Sequence, residues 1–216
     1  MPTLLRLDSS VSPETSVSRR LTGGFARAWE EAGGTVVVRD LDAERLPHLP
    51  SRGLHFPDRP GVPEDAPERA LQDAVIQEVF DADVLVIGAP MYNYSMPSTL
   101  KAWVDYLHVP GRTAPALPGD PAPLAGRTAV VVSTRGGAYD DAALEREADH
   151  VVPPLRTLLG TGMGMDVEAI TLDRTLAEML AEVLPELDPA LAARLFAEAM
   201  DRVAARGREL AEALAT

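Results

Sequence analysis

The chain contains no cysteine. Disulfide bridges, thiolate nucleophiles, cysteine-ligated zinc and iron–sulfur clusters are therefore excluded. Basic residues are scarce: 20 Lys and Arg stand against 33 Asp and Glu, a formal net charge of −13. Following nucleic-acid phosphates or binding an anionic membrane surface requires a basic face, so neither is an expected partner. The acidic surplus reads as a solubility feature. Long apolar runs are missing too. The longest, Val84 to Met91, falls far short of the ~20 residues a membrane helix needs. The start, Met1-Pro2-Thr3-Leu4-Leu5-Arg6-Leu7-Asp8, breaks its apolar run with Arg6 and Asp8 and lacks a signal-peptide core. A soluble, cytoplasmic protein is the expectation.

What is present is an ordinary globular mixture, 46% apolar and 25% charged. At roughly 150 residues per domain, the chain should be a single domain over residues 1–216. Short apolar runs alternate with helical periodicities. Strands are expected at Thr3–Asp8, Thr35–Arg39, Val84–Gly88, Thr128–Ser133 and near Met165–Thr171. The first helix should carry Leu21, Phe25, Ala28, Trp29 and Ala32 on one face and end at Gly33-Gly34. Further helices are expected near Glu68–Ala82, Ser98–Leu107 and Ala142–Leu159. The last should start at Asp188-Pro189, an N-cap and N1 pair, and reach about Leu214. Two proline-rich loops interrupt the pattern, at 41–67 and Pro110–Pro123. Loops of that length in a compact fold usually serve function or an interface.

The alternation predicts an α/β fold, a flavodoxin-like doubly wound parallel sheet of five strands in the order 2-1-3-4-5 with helices on both faces. Such a sheet binds its ligand outside the carboxyl ends of its strands. Three loops lie there. After strand one, Ser10, Ser16 and Ser18 offer hydroxyls, and Ser16, Val17 and Ser18 offer first-turn N–H groups. That is a phosphate site built without a cation; the same serines also fit a simple helix cap. Neither the G-x-G-x-x-G nor the P-loop pattern is present, which favours a mononucleotide. After strand three, Pro90 and Pro97 bracket Met91, Tyr92, Asn93 and Tyr94. This mixture suits a flat heteroaromatic ring, and it also suits a hydrophobic turn with Ser98 as the next N-cap. After strand four, Thr134-Arg135-Gly136-Gly137 allows close backbone approach, as ordinary turns also do. One loop for a phosphate and two for a planar polar ring point to a flavin mononucleotide.

The same residues carry a resemblance. The Ser9-Ser10…Ser16-Val17-Ser18 loop, Pro90-Met91-Tyr92-Asn93-Tyr94, the run Pro97–Asp105, Gly111-Arg112-Thr113 and Ser133–Gly137 together resemble the FMN-dependent NADH azoreductases. These are also described as FMN-dependent NADH:quinone oxidoreductases and have a flavodoxin-like fold. The likeness covers roughly residues 3–170. It implies bound FMN, with the phosphate and ribityl end on Ser10, Ser16, Val17 and Ser18. It implies an isoalloxazine against Met91, Tyr92, Asn93 and Tyr94 and against Thr134, Arg135, Gly136 and Gly137. It further implies a homodimer with each flavin near the interface, NADH as electron donor, and a ping-pong transfer to a quinone or azo acceptor. Three positions depart from the family pattern. Val17 replaces a frequent polar residue, Tyr94 replaces a frequent Phe, and Ala114 stands where Phe is usual, which implies a wider or differently lined pocket. The segment Leu172–Leu187 has no counterpart in that pattern.

In such an enzyme the redox chemistry belongs to the flavin, and the protein positions and tunes it. Backbone N–H groups of Gly136 and Gly137 and the Asn93 amide would stabilise negative charge on the reduced ring. Tyr92, Tyr94 and Tyr139 are candidate substrate contacts and proton donors. No arginine cluster suggests a 2′-phosphate site, which favours NADH over NADPH. His48, His55, His108 and His150 show no metal spacing, with His150 expected mid-helix. Asp140, Asp141, Glu145, Glu147 and Asp149 read as a charged helix face rather than a metal site. The competing readings are a flavin-binding electron carrier or sensor, a flavin-free interaction protein and a phosphate-ester hydrolase.

Overall fold

Five runs rich in β-branched and apolar residues form five parallel strands in the computed structural model, which describes residues 1–139, 147–184 and 187–215. They are β1 (Thr3–Asp8), β2 (Thr35–Asp40), β3 (Val84–Pro90), β4 (Thr128–Thr134) and β5 (Asp166–Leu172). Their order is β2-β1-β3-β4-β5, as the alternation predicts. Every residue of β3 is buried, consistent with a central strand covered on both faces. The register sets Asp8 beside Gly88 and Pro90 beside Thr134, so the carboxyl ends of β1, β3 and β4 finish together.

Helices cover both faces. On one side, α1 (Val17–Glu31) and the long helix α6 (Pro189–Leu214), which follows the short α5 (Ala177–Leu180), pack on Leu4, Val86, Val130 and Val132. Their contact is close because small residues meet there. Ala199, Val203, Gly207 and Ala211 recur every four residues on the buried stripe of α6. A Cβ on Gly207 would lie 2.6 Å from the Phe25 carbonyl oxygen. Asp188 caps α6, accepting from the N–H groups of Ala190 and Leu191. Leu214, at the end of α6, is exposed. On the other side, α2 (Pro67–Asp81), α3 (Ser98–Leu107) and α4 (Val152–Leu155) cover Leu5, Leu7, Ile87 and Val131. Trp29 and Trp103 are fully buried, one in each layer, as core residues.

Three local expectations need correction. Ser98 does not cap α3; Pro97 holds that position and no side chain caps the helix. The helix expected over 142–159 is broken where it is described, and residues 140–146 lie outside the described residues. His150 is not helical: its N–H donates to the Tyr94 carbonyl at 3.0 Å. The Asp149 carboxylate instead accepts from Val151 and Val152, starting α4 just before Pro153 and Pro154. Proline is tolerated in a first helical turn and breaks a helix interior, so two prolines here enforce a fresh start. The helix then loosens into a π-turn stretch over Arg156–Thr161. The proline-rich loop at 41–67 is more ordered than its composition suggests. Arg59, buried, ties it to Gln72 and Asp73 of α2, and Leu41, Leu46, Leu54 and Val62 enter the core.

Candidate functional site

The three sequence-predicted loops meet. Ser10 Oγ lies 3.0 Å from the Tyr92 hydroxyl, which also accepts from the Val11 N–H. The Met91 N–H donates to the Thr134 carbonyl at 2.8 Å, and the Tyr139 hydroxyl donates to Met91 Sδ at 3.4 Å. One surface at the carboxyl ends of β1, β3 and β4 therefore carries residues from all three loops.

The first loop is an anion cradle with a braced floor. Ser16 is the N-cap of α1: its Oγ accepts from the Arg19 N–H and sits 3.1 Å from Ser18 Oγ. Capping thus accounts for Ser16 as well as any ligand role does. The N–H groups of Val17 and Ser18, in the first turn, have no acceptor among the described residues, as helix geometry requires. The nearest cation is already engaged. Arg19 donates to the Ser10 carbonyl at 2.8 Å and grips both oxygens of Asp40 at 2.5 and 2.7 Å. The guanidinium hydrogen bond holds the Asp40 carboxyl down at about 2, and burial opposes it. Beneath lies Asp8, buried, in an ion pair with Arg6 at 2.7 Å and accepting from Thr22 at 2.6 Å. The loop is therefore fixed before any ligand arrives, and its attraction for an anion comes from N–H groups, hydroxyls and the helix dipole.

The second loop is a two-residue hairpin turn. Tyr92 and Ser95 exchange backbone hydrogen bonds at 2.9 and 3.1 Å. Asn93 and Tyr94 between them have φ of 48° and 68°, the left-handed pair of a type I′ turn. Asn suits that region; an aromatic residue there is strained. Tyr94 is 61% exposed, so its ring is presented rather than packed. The Asn93 side chain and the N–H groups of Asn93 and Tyr94 make no hydrogen bond among the described residues. The hydroxyl of Tyr92, by contrast, is committed to the serine loop.

The third loop is held by a segment with no readable motif. Arg135 is buried. It is bidentate to Asp173 at 2.5 and 3.1 Å, approaches Asp149 at 3.5 Å and stacks over the Tyr139 ring at 4.5 Å. It is a brace, neither a surface arginine nor a cation aimed at a ligand. Burial first, and then the Tyr94 phenol, push the Tyr139 hydroxyl up. Residues 173–176 run along the loop: Arg174, Thr175 and Leu176 donate to the carbonyls of Gly137, Arg135 and Gly136. A Cβ on Gly136 would meet Leu176 at 2.7 Å, so glycine is needed there for the neighbouring segment. With the carbonyls occupied, the N–H groups of Gly136 and Gly137 stay without an acceptor among the described residues. Sequence reasoning missed Arg19, Asp40, Asp149, Asp173 and Leu176, all of which act through partners distant in sequence. Ala114 is buried and closes the Val109–Ala114 turn, its N–H donating to the Val109 carbonyl. Among the described residues no group of three potential ligands is placed to hold a metal; Asp140, Asp141 and Glu145 lie outside them. No described helix is long and apolar enough to cross a membrane.

A family model described as a flavodoxin-like fold matches residues 2–207. A protein of Kineococcus radiotolerans named FMN-dependent NADH:quinone oxidoreductase is 47% identical over 184 residues, 82% of this chain and 86% of that one. The chain belongs to that family. A second member so named, from a Parafrankia strain, is 39% identical over 95% of this chain and 100% of its own length. Solved structures of the family's fold extend the likeness. An azoreductase from Bacillus anthracis superposes with a TM-score of 0.77 at 24% identity, covering 97% of this chain and 100% of that one. A second Bacillus anthracis chain, an FMN-dependent NADH-azoreductase in complex with FMN, gives 0.77 at 17% identity, covering 98% and 100%. At these identities the solved structures speak for the fold. Family membership rests on the family model and the two relatives.

Proposed function

We propose that this chain is an FMN-dependent oxidoreductase that takes two electrons from NAD(P)H, with NADH favoured, and passes them to quinones or aromatic azo compounds by a ping-pong scheme. The observation that carries the reading is the set of unengaged donors on three converging loops. Val17 and Ser18 N–H groups stand at one end, and Asn93, Gly136 and Gly137 N–H groups at the other. This set fits FMN, with an anionic tail at the helix terminus and a flat ring of alternating acceptors against backbone donors. Family membership supports the same cofactor and donor.

When bound, FMN supplies the two-electron chemistry. The chain supplies the rest. Ser10, Ser16, Val17 and Ser18 bind the phosphate and ribityl end through hydroxyls and N–H groups. Met91, Tyr92, Asn93 and Tyr94 line one edge of the ring, and Thr134, Arg135, Gly136 and Gly137 the other. Arg135 contributes by holding the loop in place, because its guanidinium is engaged with Asp173, its N–H with Leu172 and its carbonyl with Thr175. Fixed N–H donors of Gly136 and Gly137 stabilise negative charge on the ring without reorganising. Tyr94, exposed beside the ring face, is the residue best placed to touch an acceptor.

The whole chain acts in this reading as one flavin-binding unit in the cytoplasm, consistent with the lack of cysteine. A homodimer belongs to the same proposal. Met179, Val183, Leu176 and Leu184 form an exposed apolar group beside the Gly136 loop, and a second copy would cover it. The test is an anaerobic absorbance titration of FMN-loaded protein. NADH should bleach the bound-flavin band near about 450 nm, and a benzoquinone should restore it. FMN retained but not bleached by either nicotinamide would make the chain an electron carrier or sensor. Failure to retain FMN would remove the site assignment.

A further inference from the structure

All four histidines of the chain line one groove. Two adjoining cavities run along the outer face of α3, of about 480 and 280 Å³, and share Lys101 and Asp105. His48 and His150 line the first, His55 and His108 the second. These residues come from the first proline-rich loop, the end of α3 and the segment before α4, so the fold assembles what the sequence scatters. None of the four imidazoles makes a hydrogen bond among the described residues, and no metal-holding group is formed there. In a chain of net charge −13, Asp105 is the one carboxylate among the described lining residues, and it is paired with Lys101 at 2.5 Å. That pair spans one helical turn and is partly exposed, a weak kind of pairing, so Lys101 turns to a stronger anion at little cost.

The groove begins beside the hairpin that carries part of the proposed ring site. Ser95 closes the hairpin turn and also lines the first cavity. His150, lining the same cavity, donates its N–H to the Tyr94 carbonyl. From there the groove follows α3 for its 10 residues, about 15 Å.

We propose that this groove holds the phosphate-bearing half of the nicotinamide dinucleotide donor, with Lys101 and the imidazoles of His48 and His150 contacting its diphosphate and ribose. The proposal rests on the oxidoreductase reading above. Donor and acceptor share the ring face, but the donor alone carries a long anionic tail. A lysine with four imidazoles suits phosphate oxygens and sugar hydroxyls and ill suits an apolar quinone. The groove thus sets specificity for the donor without touching the reacting atoms.

The test uses the FMN-loaded full chain with two donors, NADH and the uncharged N-benzyl-1,4-dihydronicotinamide, and measures ADP-ribose binding by calorimetry as a readout independent of turnover. Lys101→Glu should raise KM for NADH and the Kd of ADP-ribose by about tenfold, with kcat little changed. KM for the uncharged donor should stay within about twofold. Lys101→Arg should behave like the parent chain, and a His48→Ala/His150→Ala variant should show the same selective loss in smaller degree. Rising salt should weaken ADP-ribose binding to the parent chain. Unchanged NADH and ADP-ribose constants in both loss variants, while both donors still bleach the flavin, would overturn the groove assignment and leave the oxidoreductase reading standing. An equal rise for both donors would overturn it too, as damage to the ring site. Failure of the parent chain to be bleached by either donor would overturn the oxidoreductase reading, and this inference with it.

Discussion

The two ends of the candidate cradle are built on opposite plans. At the serine loop the anion site itself is local: Ser16 caps its own helix and the first-turn N–H groups follow it, with Arg19 bracing the loop by joining Asp40 to the Ser10 carbonyl. At the ring end, little is satisfied locally. The hairpin holds an aromatic residue at left-handed φ, and the glycine loop is tied to the 173–176 segment that lies against it. A phosphate presents the same shape to every protein, so a local helix terminus suffices. A ring that must stay open to two successive partners needs donors held from behind, and the supports come from far along the chain.

The largest effect should come from removing the brace of the ring end. Arg135→Ala leaves Asp149 and Asp173 without their shared cation and should cost about 3 kcal/mol by denaturant unfolding, with faster loss of FMN. A variant that unfolds like the parent chain and keeps its flavin would mean the glycine loop supports itself.

The serine end should answer to acid. Asp40, held at about 2 against an ordinary 3.8, contributes stability that is complete above its unfolded value. That contribution disappears as pH falls through the folded value. Asp40→Asn should therefore lower stability at pH 6 by up to about 2 kcal/mol, less where solvent screens the pair. The gap from the parent chain should close between about pH 4 and pH 2. A constant gap across that range would show that Arg19 holds the loop without the Asp40 charge.

The smallest effect should have the opposite sign. Tyr94→Gly converts the turn to Asn-Gly, the preferred type I′ pair, and should raise stability by up to about 1 kcal/mol while slowing transfer to the acceptor. A lower melting temperature would show that the exposed ring is better packed than its position implies.

The fold and the serine end were the more legible parts of the sequence. Periodicity gave all five strands, and Asp188-Pro189 marked the last helix because capping is chemistry between near neighbours. The three loops were legible as well, since topology alone selects them. Their bracing was not. Asp173 reaches Arg135 from 38 residues away, and it lies in a segment with no motif to draw the eye. His150 left its expected helix for a bridge to Ser95, a contact that local spacing does not contain. Gly136 reads from its spacing as a glycine for close backbone approach; that its missing Cβ also makes room for Leu176 is a long-range contact the spacing does not contain.

That dependence on the 173–176 segment also sets an order of events during synthesis. The serine loop and hairpin leave the ribosome early, but the glycine loop has no backing until residue 176 is free, and α1 stays uncovered until α6 follows. At about 5–20 residues per second the finished chain trails the first loop by many seconds. The species that first meets the cofactor then already carries the segment that backs the glycine loop and the helix that covers α1, and the cellular supply of FMN decides whether it matures or waits empty.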